Sequence, residues 1–99
     1  MKSYRFHPAA DAEYTAAVQY YTGISPELGV RFFEDIERLI ATAREYPRQY
    51  LEFEPPMRRA IARQFPYALI YLDEPESLWI VAVMNLRRHP EYWKERLTV

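Results

Sequence analysis

Five arginines of the C-terminal half stand in two groups, Arg58, Arg59 and Arg63, then Arg87 and Arg88, with His89 and Tyr92 just after the second. A guanidinium presents a planar fork of donors that matches a carboxylate or a phosphate, so these groups suggest an anion-binding face. Tyr67, Tyr71 or Tyr92 could stack on bases beside it. The same spacing also fits a solvated surface on which Glu52, Glu54, Glu91 and Glu95 answer the arginines. His7 and His89 are the side chains whose ordinary pKa lies near neutrality, and a general acid or base at pH 7 is sought there first. His7 precedes Pro8 at a helix start and reads as a cap, while the cation of Arg88 disfavours the charged form of His89. With two glycines, two distant histidines and no cysteine, the chain carries no phosphate-binding loop and no metal motif, and it calls for no cofactor.

These groups must be positioned by a small number of elements. Tyr4 and Phe6 alternate with Arg5, which predicts a first strand over residues 3–7. Pro8 then opens a helix over residues 9–22, with Ala10, Tyr14, Ala17 and Tyr21 on one face and Gly23 as its C-cap. Ser25-Pro26-Glu27 is a second start signal, a capping serine followed by proline at the first helical position. Phe32, Ile36, Leu39, Ile40 and Ala43 recur at helical spacing after it, predicting a helix over 26–46 whose Ile36 faces a core and whose Glu37 faces solvent. Prolines 47, 55 and 56 mark an irregular connection. Strands follow over 57–63, 65–72 and 78–84, the last two joined by the turn-like residues 73–77. Alternation along 57–63 puts Arg59 and Arg63 on one face and Arg58 on the other. Pro90 opens a short C-terminal helix bearing Tyr92, Trp93 and Leu97. The order β-α-α-β-β-β-α predicts an α+β fold, an antiparallel sheet with two helices on one face and the other face partly open. Trp79 reads as core, and Trp93 as core or as a contact for a partner.

Ninety-nine residues, 49% of them hydrophobic, suffice for one domain over 1–99 and not for two. The absence of cysteine suits a reducing compartment, and neither a signal peptide nor a membrane span is legible, so a cytoplasmic protein is expected. The net charge of −1 hides eleven arginines against two lysines, a bias that genome composition can also produce.

Asp11-Ala12-Glu13 leading to Tyr20-Tyr21, and Ser25-Pro26-Glu27-Leu28-Gly29 with Phe32-Phe33, resemble the N-terminal half of RelE/ParE superfamily toxins. Arg58-Arg59-Ala60, Arg63-Gln64-Phe65-Pro66-Tyr67 and Ile70-Tyr71 are similar to that family's arginine strand and hairpin. The ending from Val81 through Asn85-Leu86-Arg87-Arg88-His89-Pro90-Glu91-Tyr92-Trp93 to Arg96-Leu97 resembles a recurring family ending. The resemblance implies a growth inhibitor of bacteria, often tied to plasmid stabilisation, that a cognate antitoxin holds in a toxin–antitoxin hetero-oligomer. RelE-like members cleave messenger RNA on the ribosome without a metal, whereas ParE-like members poison DNA gyrase. If the chain is a ribonuclease, Arg59, Arg87, Tyr92 and His89 are the catalytic candidates, and Arg58, Arg59, Arg63, Arg87 and Arg88 would bind anions. Three departures favour the ParE-like reading: the lysines of the RelE-like arginine strand are missing, Ala68 stands where those members tend to place arginine, and Asn85 replaces a histidine.

Overall fold

The computed structural model describes residues 1–88 and 92–97. Its elements run β1 (Ser3–Phe6), α1 (Pro8–Ile24), α2 (Pro26–Glu45), β2 (Arg58–Ile61), β3 (Tyr67–Asp73), β4 (Ser77–Asn85) and a 3-10 helix (Tyr92–Leu97). β1 stops where the ring of His7 accepts the N–H of Ala9 at 3.0 Å and caps α1, and Pro8 takes the first helical position, which needs no donor. His7 thus has the capping role expected of it.

Gly23 is not the C-cap of α1. The helix runs through Ile24, and Ser25 serves both helices. Its N–H bonds the carbonyl of Tyr21 at 3.0 Å, while its hydroxyl accepts from the N–H of Leu28 at 3.1 Å to start α2. One extended residue therefore turns the chain. The turn brings the helices so close that a Cβ on Gly29 would lie 2.9 Å from the Cα of Thr22, which explains a glycine inside a helix.

The sheet has the order β1-β4-β3-β2 and is mixed, not antiparallel as expected. Short loops join β2, β3 and β4 and force antiparallel pairing, whereas both helices and then β2 and β3 separate β1 from β4, a connection long enough for parallel pairing. A bulge interrupts β4. Ile70 pairs with Ala82 and Tyr71 with Ile80, leaving Val81 without an opposite residue, so that Val81 and Ala82 both belong to the same buried cluster.

One sheet face packs on the helices through Leu69, Tyr71, Leu78, Ile80 and Val83, against Phe32, Ile36, Leu39 and Ala43. The other face is not open. Met57, Ala68, Ile70, Val81, Ala82 and Met84 are covered there by Trp93, with Phe53, Trp79, Tyr92 and Leu97 around it. The covering segment is a 3-10 helix and not the α-helix expected. Its three-residue turn sets Trp93 and Arg96 on one side, the tryptophan on the apolar face and the arginine against the edge of β4.

Two polar residues of α2 are tied to neighbouring elements, and the second, Glu37, was expected to face solvent. Asp35 is buried and accepts the N–H groups of Arg63 and Gln64, at 3.1 and 3.2 Å, so it fastens the β2–β3 loop. Glu37 is only half exposed and accepts the hydroxyl of Tyr14 at 2.8 Å.

The connection over residues 46–57 is held where the Tyr71 hydroxyl donates to the Pro47 carbonyl at 2.6 Å. Burial pushes this phenol up to about 12. Since the folded chain holds that proton more tightly than an unfolded tyrosine at about 10, the linked stability is present below pH ~10 and lost as pH rises toward ~12. Urea midpoints measured across that window should fall, and Tyr71→Phe should make the fall shallower.

Candidate functional site

The sheet order separates the two arginine groups. β3 lies between β2 and β4, so residues on those strands are about 10 Å apart at the nearest. Arg59 rests over the ring of Phe53 at 4.7 Å, on the second face. Arg58 points to the opposite side, as alternation predicts, and donates to the carbonyl of Tyr50 at 2.7 Å. Arg63 does not share a face with Arg59. β2 ends at Ile61, and Asp35 draws the backbone of Arg63 toward α2. Arg87 is exposed just past β4, its N–H held by the Asn85 side chain at 2.9 Å. His89 lies outside the described residues.

Arg88, Tyr92 and Arg96 do come together, around a carboxylate the sequence did not single out. Arg96 forms a two-point contact with Glu13, at 2.9 Å to Oε1 and 2.8 Å to Oε2. The Tyr92 hydroxyl donates to Oε2 at 2.6 Å, and Arg88 approaches the same oxygen at 3.9 Å while its guanidinium lies 3.9 Å over the Tyr92 ring. Arg96 and Glu13 are only 14% and 15% exposed, so solvent screens their attraction weakly. Both also serve the bulged strand: Glu13 accepts the Val83 N–H at 3.1 Å, and Arg96 donates to the Val81 carbonyl at 3.0 Å. β1 ends opposite Ile80, and this ion pair satisfies the edge of β4 that β1 leaves unpaired.

The electrostatics follow from that contact. Burial, then the hydrogen bond to Glu13, raise the Tyr92 phenol well above the ordinary tyrosine range. The hydrogen bond to Glu13 likewise raises the Arg96 guanidinium. A hydroxyl so placed is a poor base, and a guanidinium so neutralised contributes little to binding another anion. Trp93, a candidate partner contact, is fully buried and unavailable as a surface anchor. Glu13 stood in the sequence only as part of the Asp11-Ala12-Glu13 segment of α1, with no role attached. Its spacing to Ala16, Ala17 and Tyr20 puts it on the side of α1 that passes the end of β4.

No protein-family model matches the chain, and no curated protein does. A chain of the solved structure described as the chromosomal ParDE TA system from P. aeruginosa is similar in fold, with a TM-score of 0.74 and 18% identity over 88% of this chain and 98% of that one. No helix among the described residues is long and apolar enough to cross a membrane. The helical hairpin on one face of a four-stranded mixed sheet gives the chain a RelE/ParE-like fold.

Proposed function

We propose that the chain is the toxin of a type II toxin–antitoxin pair that acts on DNA gyrase by binding, without chemistry of its own. The observation that carries the proposal is the commitment of the Tyr92 hydroxyl to Glu13, in a cluster where the same carboxylate also takes Arg96 and faces Arg88. A metal-independent ribonuclease needs a group near the 2′-hydroxyl to accept its proton and cations to stabilise the developing charge. Here the tyrosine oxygen and the Arg96 guanidinium are already held by Glu13. Ala68, at the position where RelE-like members tend to carry arginine, is fully buried in the cluster that Trp93 covers. The similarity to a chain of a ParDE TA system supports the toxin reading, with a cognate antitoxin as partner and the cytoplasm as its place.

A gyrase supercoiling assay beside a ribosome-dependent mRNA cleavage assay, both on the purified chain, tests the proposal. Inhibition of supercoiling without cleavage is expected. Cleavage without inhibition overturns the target, and absence of both together with normal growth on induction leaves a degenerate, non-toxic member. Tyr92→Phe should leave growth inhibition nearly unchanged at a temperature where the variant is folded, while Arg87→Ala, which alters an exposed cation, should weaken it. Loss of toxicity in Tyr92→Phe with antitoxin binding retained would assign the oxygen a chemical role.

A further inference from the structure

α2 and the loop between β2 and β3 enclose a hollow of about 270 Å³, on elements that the Glu13 cluster does not use. At roughly 30 Å³ per water that is room for about nine waters, or for a small charged group and what it is attached to. Arg31, Glu34, Asp35 and Arg38 line it from α2, and Arg63 and Gln64 line it from the loop. Residues 31, 35 and 38 are four and then three positions apart, the spacing that sets side chains side by side on one helix face. Asp35 assembles the hollow. It is buried, its Oδ2 accepts the N–H groups of Arg63 and Gln64, and its Oδ1 accepts from one nitrogen of Arg38 at 2.8 Å. Both oxygens are therefore taken, and the loop is fixed with Arg63 in the same lining as Arg31.

The other charges of the lining are not so matched. Arg31 and Arg63 are exposed and form no ion pair among the described residues, and Arg38 commits one nitrogen of its fork. Glu34, exposed in the same lining, forms no ion pair among them either. Three guanidiniums against two carboxylates leave the hollow positive in a chain whose net charge is −1. The fold holds these like charges together, and an anion among them would relieve their repulsion. A planar carboxylate is satisfied by a single fork, whereas a phosphate presents three oxygens to donors arriving from different directions. We propose that this hollow binds a phosphate monoester, with its terminal phosphate among Arg31, Arg38 and Arg63. A phosphodiester backbone is the poorer complement, because its successive charges would meet Glu34 and the chain lacks the positive field that such binding draws on. The inference does not rest on the toxin reading.

The test is a titration of the isotope-labelled full chain with ribose 5-phosphate at constant ionic strength, followed by amide resonances. Acetate and a short single-stranded DNA oligonucleotide, with and without a 5′-phosphate, serve as comparisons. Saturable shifts at Arg31, Arg63 and Gln64 are expected with ribose 5-phosphate and not with acetate. Arg31→Ala and Arg63→Ala, changes at exposed positions, should each weaken binding about fivefold or more, while Glu34→Gln, which removes the opposing carboxylate, should tighten it about twofold. Ribose 5-phosphate should raise the thermal midpoint of the parent chain by mass action and raise that of Arg31→Ala much less. Tighter binding of the 5′-phosphorylated oligonucleotide than of the sugar phosphate would identify a nucleic-acid end as the source of the monoester, and equal binding a free small molecule. An equal response to acetate, an oligonucleotide that binds as well without its 5′-phosphate, shifts away from the hollow, or an affinity unchanged by both arginine substitutions would each overturn the proposal.

Discussion

Replacing Trp93 by alanine should destabilise the chain by about 3–5 kcal/mol, the cost of truncating a large buried aromatic whose site cannot collapse fully. The side chain is fully buried, and it covers Met57, Ala68, Ile70, Val81, Ala82 and Met84 on the sheet face away from the helices. Its ring centroid lies 5.6 Å from that of Phe53. The six residues beneath are apolar, so losing the cover exposes them together. Trp93→Phe should cost much less than Trp93→Ala. The indole N–H is buried with no partner among the described residues, an arrangement that itself costs about 1–3 kcal/mol. Phenylalanine removes this donor while keeping most of the ring. Urea melts with unchanged slope would measure both, and a fluorescent apolar dye should bind the alanine variant. A loss below about 1 kcal/mol in Trp93→Ala would mean that the segment at residues 92–97 does not hold the second face closed.

The helices were legible because their signals are local. Ser25-Pro26 carries its own start mark, and the period from Phe32 to Ala43 reports the buried side of α2 whatever lies against it. The hairpin between β3 and β4 was legible for the same reason, its turn residues being contiguous. Partner direction is another matter. Alternation in Tyr4-Arg5-Phe6 shows which side chains share a face and is silent on which strand lies beside them, so parallel pairing to β4 had no mark. The arginines misled through that gap. The two arginine groups suggested one anion-binding face, and β3 lies between the strands that carry them. Arg63 left the face predicted for it because a carboxylate on another element, Asp35, captures its backbone, a contact that joins residues 28 apart in the chain. Glu13 and its partners span 70 to 83 positions, so a single sequence could mark each residue but not their meeting.

Glu13→Ala should cost about 2–4 kcal/mol, more than any single hydrogen bond accounts for, because one carboxylate serves four donors. It holds the Arg96 guanidinium at two points, the Tyr92 hydroxyl and the Val83 N–H. Its removal leaves a guanidinium that is 14% exposed beside an apolar sheet, still bonded to the Val81 carbonyl but without its counter-charge. Glu13→Gln restores an acceptor, yet Arg96 bonds both carboxylate oxygens, so the amide N–H₂ must face a guanidinium that can only donate, and the rescue should be partial. The pair should show coupling: Glu13→Ala with Arg96→Ala should cost about 1–3 kcal/mol less than the sum of the single changes, since the second substitution removes the charge that the first one stranded. Additive losses would mean that the two side chains contribute through packing alone. The same variant bears on function. With Glu13 gone, the Tyr92 hydroxyl and the Arg96 guanidinium lose the group that occupies them, while Ala68 still leaves its own position on the covered face without an arginine. Ribosome-dependent cleavage should therefore stay absent from Glu13→Ala at a temperature where it is folded. A gain of cleavage in that variant would show that neutralisation by Glu13, and not the missing arginine, is what keeps these groups from acting on RNA.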